Sequence, residues 1–117
     1  MVYDSVYALA NELKQSEEYK QYAAAKAVAF EDASTAALIH SYQKLTLESE
    51  MYLAAGQPVP EDTAEEARKL IAILQMNETA MTYLIQESRL NGVMKDVFRI
   101  LMEAVDINPG LMASDAS

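Results

Sequence analysis

The longest regular pattern in this sequence runs from Met76 to Asp106 without a proline. Its mostly apolar positions recur at alternating steps of four and three, which is typical of a helix that packs lengthwise against other helices. We call these positions the seam: Met76, Ala80, Tyr83, Glu87, Leu90, Met94, Val97, Leu101 and Ala104. One helix here would be about 45 Å long, more than a small domain needs to cover its core. We therefore expect a second copy of the chain to cover the surplus.

Two shorter helices are predicted at the N-terminal end. Asp4 or Ser5 can cap the first, because their side chains accept hydrogen bonds from free backbone amides, and its apolar face lasts two to three turns, to about Leu13. Ser16 followed by Glu17 repeats the same kind of start signal. The sequence thus indicates a short helix, a break and a second helix.

A third, long helix is expected after a cap at Asp32 or Ser34, and it ends near residue 55. Gly56 and two prolines then make residues 56–60 the clearest turn. Thr63 followed by Glu66 fits a capping box for the fourth helix. No segment alternates polar and apolar residues at period two, so the prediction is an all-α fold of about five helices.

The fifth helix is expected to begin after a break at Asn77 and to stop before Pro109. The third and fifth are the two long helices, and we expect them to form an antiparallel hairpin within a bundle that oligomerises. Residues 1–106 are then a single domain. Residues 107–117 have little pattern and are expected to form a mobile tail.

Composition supports a folded helical protein, because 51% of residues are hydrophobic and Gly and Pro number three each. The net charge of −9 disfavours direct binding to nucleic acids or anionic membranes, which attract Lys and Arg. The chain has no cysteine, which excludes disulfides and thiolate metal sites. No signal-peptide pattern or apolar run long enough for a membrane span is found, so a cytoplasmic location is expected.

Little in the sequence indicates catalysis, a metal or a cofactor. His40 is the only histidine, and the residue three before it is Ala37, so the Glu-x-x-His motif of di-iron bundles is absent. The acidic residues at 61, 62, 65 and 66 are of the kind expected at the start of a helix. We predict a protein that is not an enzyme, has no cofactor and binds other proteins. The alternative is a sensor that binds haem or an apolar small molecule between helices, near His40 and the tyrosines.

Two residues of the seam helix suggest an interface. Glu87 would cost several kcal/mol if buried without a partner, and Gly92 costs about 1 kcal/mol relative to alanine in mid-helix. Gly92 therefore suggests the close approach of another helix, or a bend. The candidate interface for a second copy or another partner comprises Tyr83, Glu87, Leu90, Gly92, Met94, Val97 and Leu101.

The order of these elements resembles the YlbF/YmcA/YheA family of small helical proteins from Gram-positive bacteria. The resemblance covers residues 3 to about 106 and is carried by these anchors: Ser16-Glu17-Glu18-Tyr19, Tyr22, Asp32, Ala55-Gly56-Gln57, Asn77, Tyr83 and Glu87. It implies an all-helical fold that forms dimers or higher oligomers and has no catalytic activity.

For the YlbF and YmcA branches, the resemblance also implies a regulatory role. They are accessory subunits of a complex that acts with ribonuclease Y on messenger RNA and influences competence, sporulation and biofilm formation. Those complexes are associated with iron–sulfur clusters held by cysteines, whereas this chain contains none. Its length is closer to that of the YheA branch, whose function is not established.

Overall fold

Five α-helices make up the computed structural model, which describes residues 2–107. They are α1 (Val2–Gln15), α2 (Glu17–Ala29), α3 (Ala33–Ala54), α4 (Glu61–Gln75) and α5 (Glu78–Ala104). No strand occurs between residues 2 and 107. The predicted all-α class and the number of helices are confirmed. The expected mobile tail lies outside the described residues except for its first residue, Ile107.

Three of the helices begin at the caps expected from the sequence. The side chains of Ser16, Asp32 and Asn77 accept hydrogen bonds from backbone amides in the first turns of α2, α3 and α5. The cap at Asn77 separates α4 from α5 as two helices. Met76 therefore lies at the C-terminal end of α4, where it is 90% exposed. Met76 was therefore wrongly assigned to the seam.

Two predicted starts were wrong. α1 begins at Val2, so Asp4 lies in its first turn instead of capping it. α4 begins at Glu61, and Thr63 lies within its first turn. Pro60 stands at the N-cap with φ of −56° and no side-chain hydrogen bond, and its carbonyl accepts from the Ala64 amide at 3.0 Å. Proline has no backbone N–H that needs a partner, so it is tolerated at this position. The helix therefore starts at Glu61, two residues before Thr63.

The main partner of α5 is α2, which runs antiparallel to it. Tyr83 packs against two rings of α2, with centroid distances of 5.6 Å to Tyr22 and 5.2 Å to Phe30. Further along, the Arg89 guanidinium donates to the Gln21 side chain at 2.8 Å. The third helix was expected to pair with α5, but two aromatic rings of α2 fill the space around Tyr83.

The expected antiparallel pairing of α3 and α5 is not found. Asn77 contacts Thr35 and Glu87 contacts Gln43, so residue numbers rise in the same direction along both helices. α3 packs mainly against α4 and more weakly against α5. The reason is connectivity: short connections make α3–α4 and α4–α5 antiparallel neighbours, which leaves α3 and α5 parallel.

The molecule is flat, and its core is small. Six of the described residues are buried: Ala29, Thr35, Ile39, Leu74, Ala80 and Tyr83. The radius of gyration is 16.9 Å, compared with about 13 Å for a compact domain of this length. The smallest extent is 16 Å, enough for no more than two helix layers. Much apolar surface is therefore left uncovered by the chain itself.

Candidate interaction surface

The charged seam residue Glu87 is satisfied within the chain. Its Oε2 accepts a hydrogen bond from the Tyr83 hydroxyl at 2.9 Å and another from the Gln43 amide nitrogen, also at 2.9 Å. These bonds tie α3 to α5 where the core ends. Tyr83 is 3% exposed. Its side chain is therefore covered by its own chain, although the sequence suggested it for an interface.

Tyr83 is held in its neutral form. Burial raises the pKa of its hydroxyl, and hydrogen bonds with Tyr22 and Glu87 raise the pKa further. A phenolate here would lose solvation and meet the carboxylate of Glu87. The hydroxyl therefore acts as a structural donor at the inner end of the seam.

Beyond Glu87 the same face of α5 continues onto the surface. Leu90 and Val97 are partly buried, whereas Met94 and Leu101 are exposed. Phe98 lies beside them and is 57% exposed. We call these five residues the α5 stripe. Because the stripe continues the face that forms the core, it resembles a core surface that lacks its covering helix.

Gly92 lies away from this stripe. It lies two residue steps before Met94, which corresponds to about 200° of rotation around a helix. A Cβ atom added at Gly92 would meet nothing within 4 Å. Within the described chain there is thus no close helix approach at Gly92, and α5 passes through it as one continuous helix.

A second uncovered apolar surface lies on α1. Val2 and Val6 are exposed, and Leu9 and Leu13 are partly buried on the same helical face. We call these four residues the α1 stripe. α1 has no fully buried residue and packs mainly against α2, which follows it in the chain. An apolar face from Val6 to Leu13 was predicted from the sequence, but neither this face nor Phe98 was part of the candidate interface. The signal for it was an amphipathic helix too short to build a core.

The alternative hypothesis expects a ligand between helices near His40 and the tyrosines, and of these Tyr42 lines a cavity whereas His40 does not. His40 is exposed and packs against the Phe30 ring, with centroids 5.5 Å apart. An apolar cavity of about 270 Å³ lies elsewhere, between α3, α4 and α5. Its lining consists of Tyr42, Ile71, Leu74, Gln75, Met81, Leu84, Ile85 and Ser88. This volume is near the lower limit for small-molecule pockets, and His40 does not line it.

Metal-ligand clusters and membrane-spanning helices are both absent from residues 2–107. No group of three or more His, Asp or Glu side chains in this range is arranged to hold a metal ion. None of the helices in it combines the length and hydropathy needed to cross a membrane.

A sequence family covers nearly the whole chain. The family described as "Control of competence regulator ComK, YlbF/YmcA" matches residues 2–106. A UPF0342 protein from Caldicellulosiruptor saccharolyticus is 34% identical over 106 residues, covering 91% of this chain and 88% of that protein. A UPF0342 protein from Symbiobacterium thermophilum is 29% identical over 107 residues, covering 92% and 96% of the two chains.

The fold is shared with a solved structure. It is a protein of unknown function (DUF964) from Bacillus stearothermophilus, with a TM-score of 0.71 over 90% of this chain and 92% of that one. The two sequences are 19% identical, so this likeness supports the helical architecture alone.

Proposed function

Because the chain belongs to the family described as "Control of competence regulator ComK, YlbF/YmcA", we propose that it is a regulatory protein that acts by binding proteins. In this proposal it is a cytoplasmic homo-oligomer and an adaptor without catalytic activity. Its partner is a regulatory protein complex, and the resemblance to the YlbF and YmcA branches points to the RNA-decay machinery.

The α5 stripe is the observation that carries this proposal. It continues the core-forming face of α5, yet Met94, Phe98 and Leu101 are exposed. Burying half of a large apolar side chain stabilises an association by roughly 1 kcal/mol. A stripe of this kind favours a protein partner, since apolar area rather than charge would supply the binding energy.

Self-association is tested by measuring mass in solution. Sedimentation equilibrium at micromolar concentration is expected to give a dimer or a larger species, and Leu101→Glu is expected to shift the protein toward monomer. Glu103→Gln is the matched control, because Glu103 is exposed on the same helix and lies outside the stripe. A wild-type protein that stays monomeric contradicts the proposal.

The regulatory role is tested in the native host. Deleting the gene is expected to change the level of ComK protein, and the wild-type gene is expected to restore it. Leu101→Glu should restore it less well than Glu103→Gln at equal protein abundance. Unchanged ComK in the deletion strain contradicts the regulatory part of the proposal, whatever the mass in solution.

A further inference from the structure

Two apolar helix segments contribute no residue to the buried core and leave large apolar side chains exposed. One is α1, and the other is the end of α5 from Met94 to Ala104. Their exposed large apolar side chains, with the residues that follow α5, are between 36% and 71% exposed: Val2, Tyr3, Val6, Tyr7, Met94, Phe98, Ile100, Leu101, Val105 and Ile107. The two segments therefore resemble halves of a helix–helix interface.

From this arrangement we infer that α1 of one copy covers the α5 stripe of a second copy, and that the second copy returns the same contact. This inference rests on the proposed self-association and specifies its geometry. The contact is isologous, as in most two-fold dimers, because each chain supplies both surfaces. The occupant of the α5 stripe is thus the amphipathic N-terminal helix of the same protein.

The two surfaces match in length. α1 has 14 residues, which corresponds to about 21 Å at 1.5 Å per residue. The α5 stripe spans 11 residue steps from Leu90 to Leu101, or about 16 Å by the same rise. One α1 helix is therefore long enough to cover the whole stripe.

The available area reaches the lower limit for a biological interface. Five exposed side chains of the two stripes (Val2, Val6, Met94, Phe98 and Leu101), each roughly half exposed, leave on the order of 100 Å² apiece. Their sum is about 500 Å² per chain and about 1,000 Å² for the two chains together, which is the area that a biological interface must clear. Neither stripe contains a charged residue, so the contact would bury no ionised side chain along its centre.

A cross-linking experiment tests the geometry directly, because the chain has no cysteine of its own. Val6→Cys is placed in one tagged chain and Leu101→Cys in a chain with a different tag, and the mixed proteins are treated with a short bismaleimide. The expected product is a covalent heterodimer carrying both tags. Asn11→Cys and Asp96→Cys, which point away from the two stripes by helical rotation, are the matched controls and should give at least tenfold less product.

A mutational test uses the same positions. Val6→Glu is expected to raise the dimer dissociation constant on the order of 100-fold, because each dimer contains two altered contacts. Asn11→Glu should change it less than threefold. Since Val6 is exposed in the single chain, the circular dichroism of both variants at high concentration should match that of the wild type.

The outcomes separate the two proposals. A monomeric wild type overturns self-association and this inference together. A stable dimer that gives no Val6–Leu101 product above the controls, or that Val6→Glu leaves intact, overturns the inference and leaves the proposed function standing. A dimer that cross-links between Val6 and Leu101 of different chains and is weakened by Val6→Glu supports both.

Discussion

Replacing Glu87 with leucine should lower the unfolding free energy slightly, because the buried Tyr83 hydroxyl donates its hydrogen bond to Glu87. In the wild type, Glu87→Leu removes the acceptor for two hydrogen bonds, and the Tyr83 hydroxyl is too buried to find water. An orphaned buried donor costs about 1–3 kcal/mol, and the lower half of this range applies because Tyr22 also hydrogen-bonds with Tyr83. Burial of the leucine side chain raises the unfolding free energy by roughly 1 kcal/mol, which offsets part of this cost. The net loss of unfolding free energy should be about 1 kcal/mol or less.

The same substitution should have the opposite effect when Tyr83 is first changed to phenylalanine. No buried hydroxyl is then left without an acceptor, and Gln43 is exposed enough to reach water. Glu87→Leu in the Tyr83→Phe background should therefore stabilise the protein by roughly 1 kcal/mol through apolar burial. The coupling free energy between the two positions is expected to be about 1–2 kcal/mol.

Urea unfolding of the wild type, both single variants and the double variant measures this coupling, at one protein concentration because association shifts stability. Glu103→Leu is the control on the same helix; its exposed ion pair with Arg99 should contribute less than about 0.5 kcal/mol. Additive effects of the two changes, within about 0.3 kcal/mol, would refute the reasoning.

Three other changes have definite expected outcomes. Gly92→Ala should raise the unfolding free energy by about 0.5–1 kcal/mol in thermal or urea unfolding, because the added methyl has open space; a loss of stability would contradict this. Asn77→Ala should cost about 1–2 kcal/mol by removing the cap of α5 and the bond to Thr35, whereas the exposed Asn91→Ala should not. Hydrogen bonds from Thr35 and Ser34 lower the pKa of Asp32, so its stabilisation is present above about pH 4 and is lost as pH falls through the lower, folded pKa. As pH is lowered from 6 to 2, the unfolding free energy should fall less steeply for Asp32→Asn than for the wild type. Identical slopes would refute the assignment.

The helices were predictable from the sequence because their signals are local. Ser16, Asp32 and Asn77 each cap a helix with their own side chain, so the residue type and its position sufficed. The start of α4 was missed because Thr63 offers a competing cap, while Pro60 meets the same need through its fixed φ and its carbonyl. Local rules rank such alternatives poorly when both are chemically adequate.

Helix pairing and the site depended on contacts that spacing does not encode. The seam of α5 was visible, but nothing in its period distinguishes α2 from α3 as the partner of Tyr83. The packing of Tyr22 and Phe30 around that ring makes α2 the partner. Likewise, the sequence could say that Glu87 needed a partner, but only the fold identifies Gln43, 44 residues away. The α5 stripe as a surface for a partner stays a prediction.

The hydrogen bonds between Asn77, Thr35 and Asp32 have an electrostatic consequence. They join the first turns of α3 and α5, and because these helices are parallel, the positive ends of two macrodipoles lie side by side. Each end carries about half an elementary charge, so the two repel. The Asp32 carboxylate caps α3 at this junction, and Glu78 lies in the first turn of α5, so each positive end has an acidic side chain beside it. Acidic residues at both starts therefore let two parallel helices meet at the end where their backbones alone would push them apart.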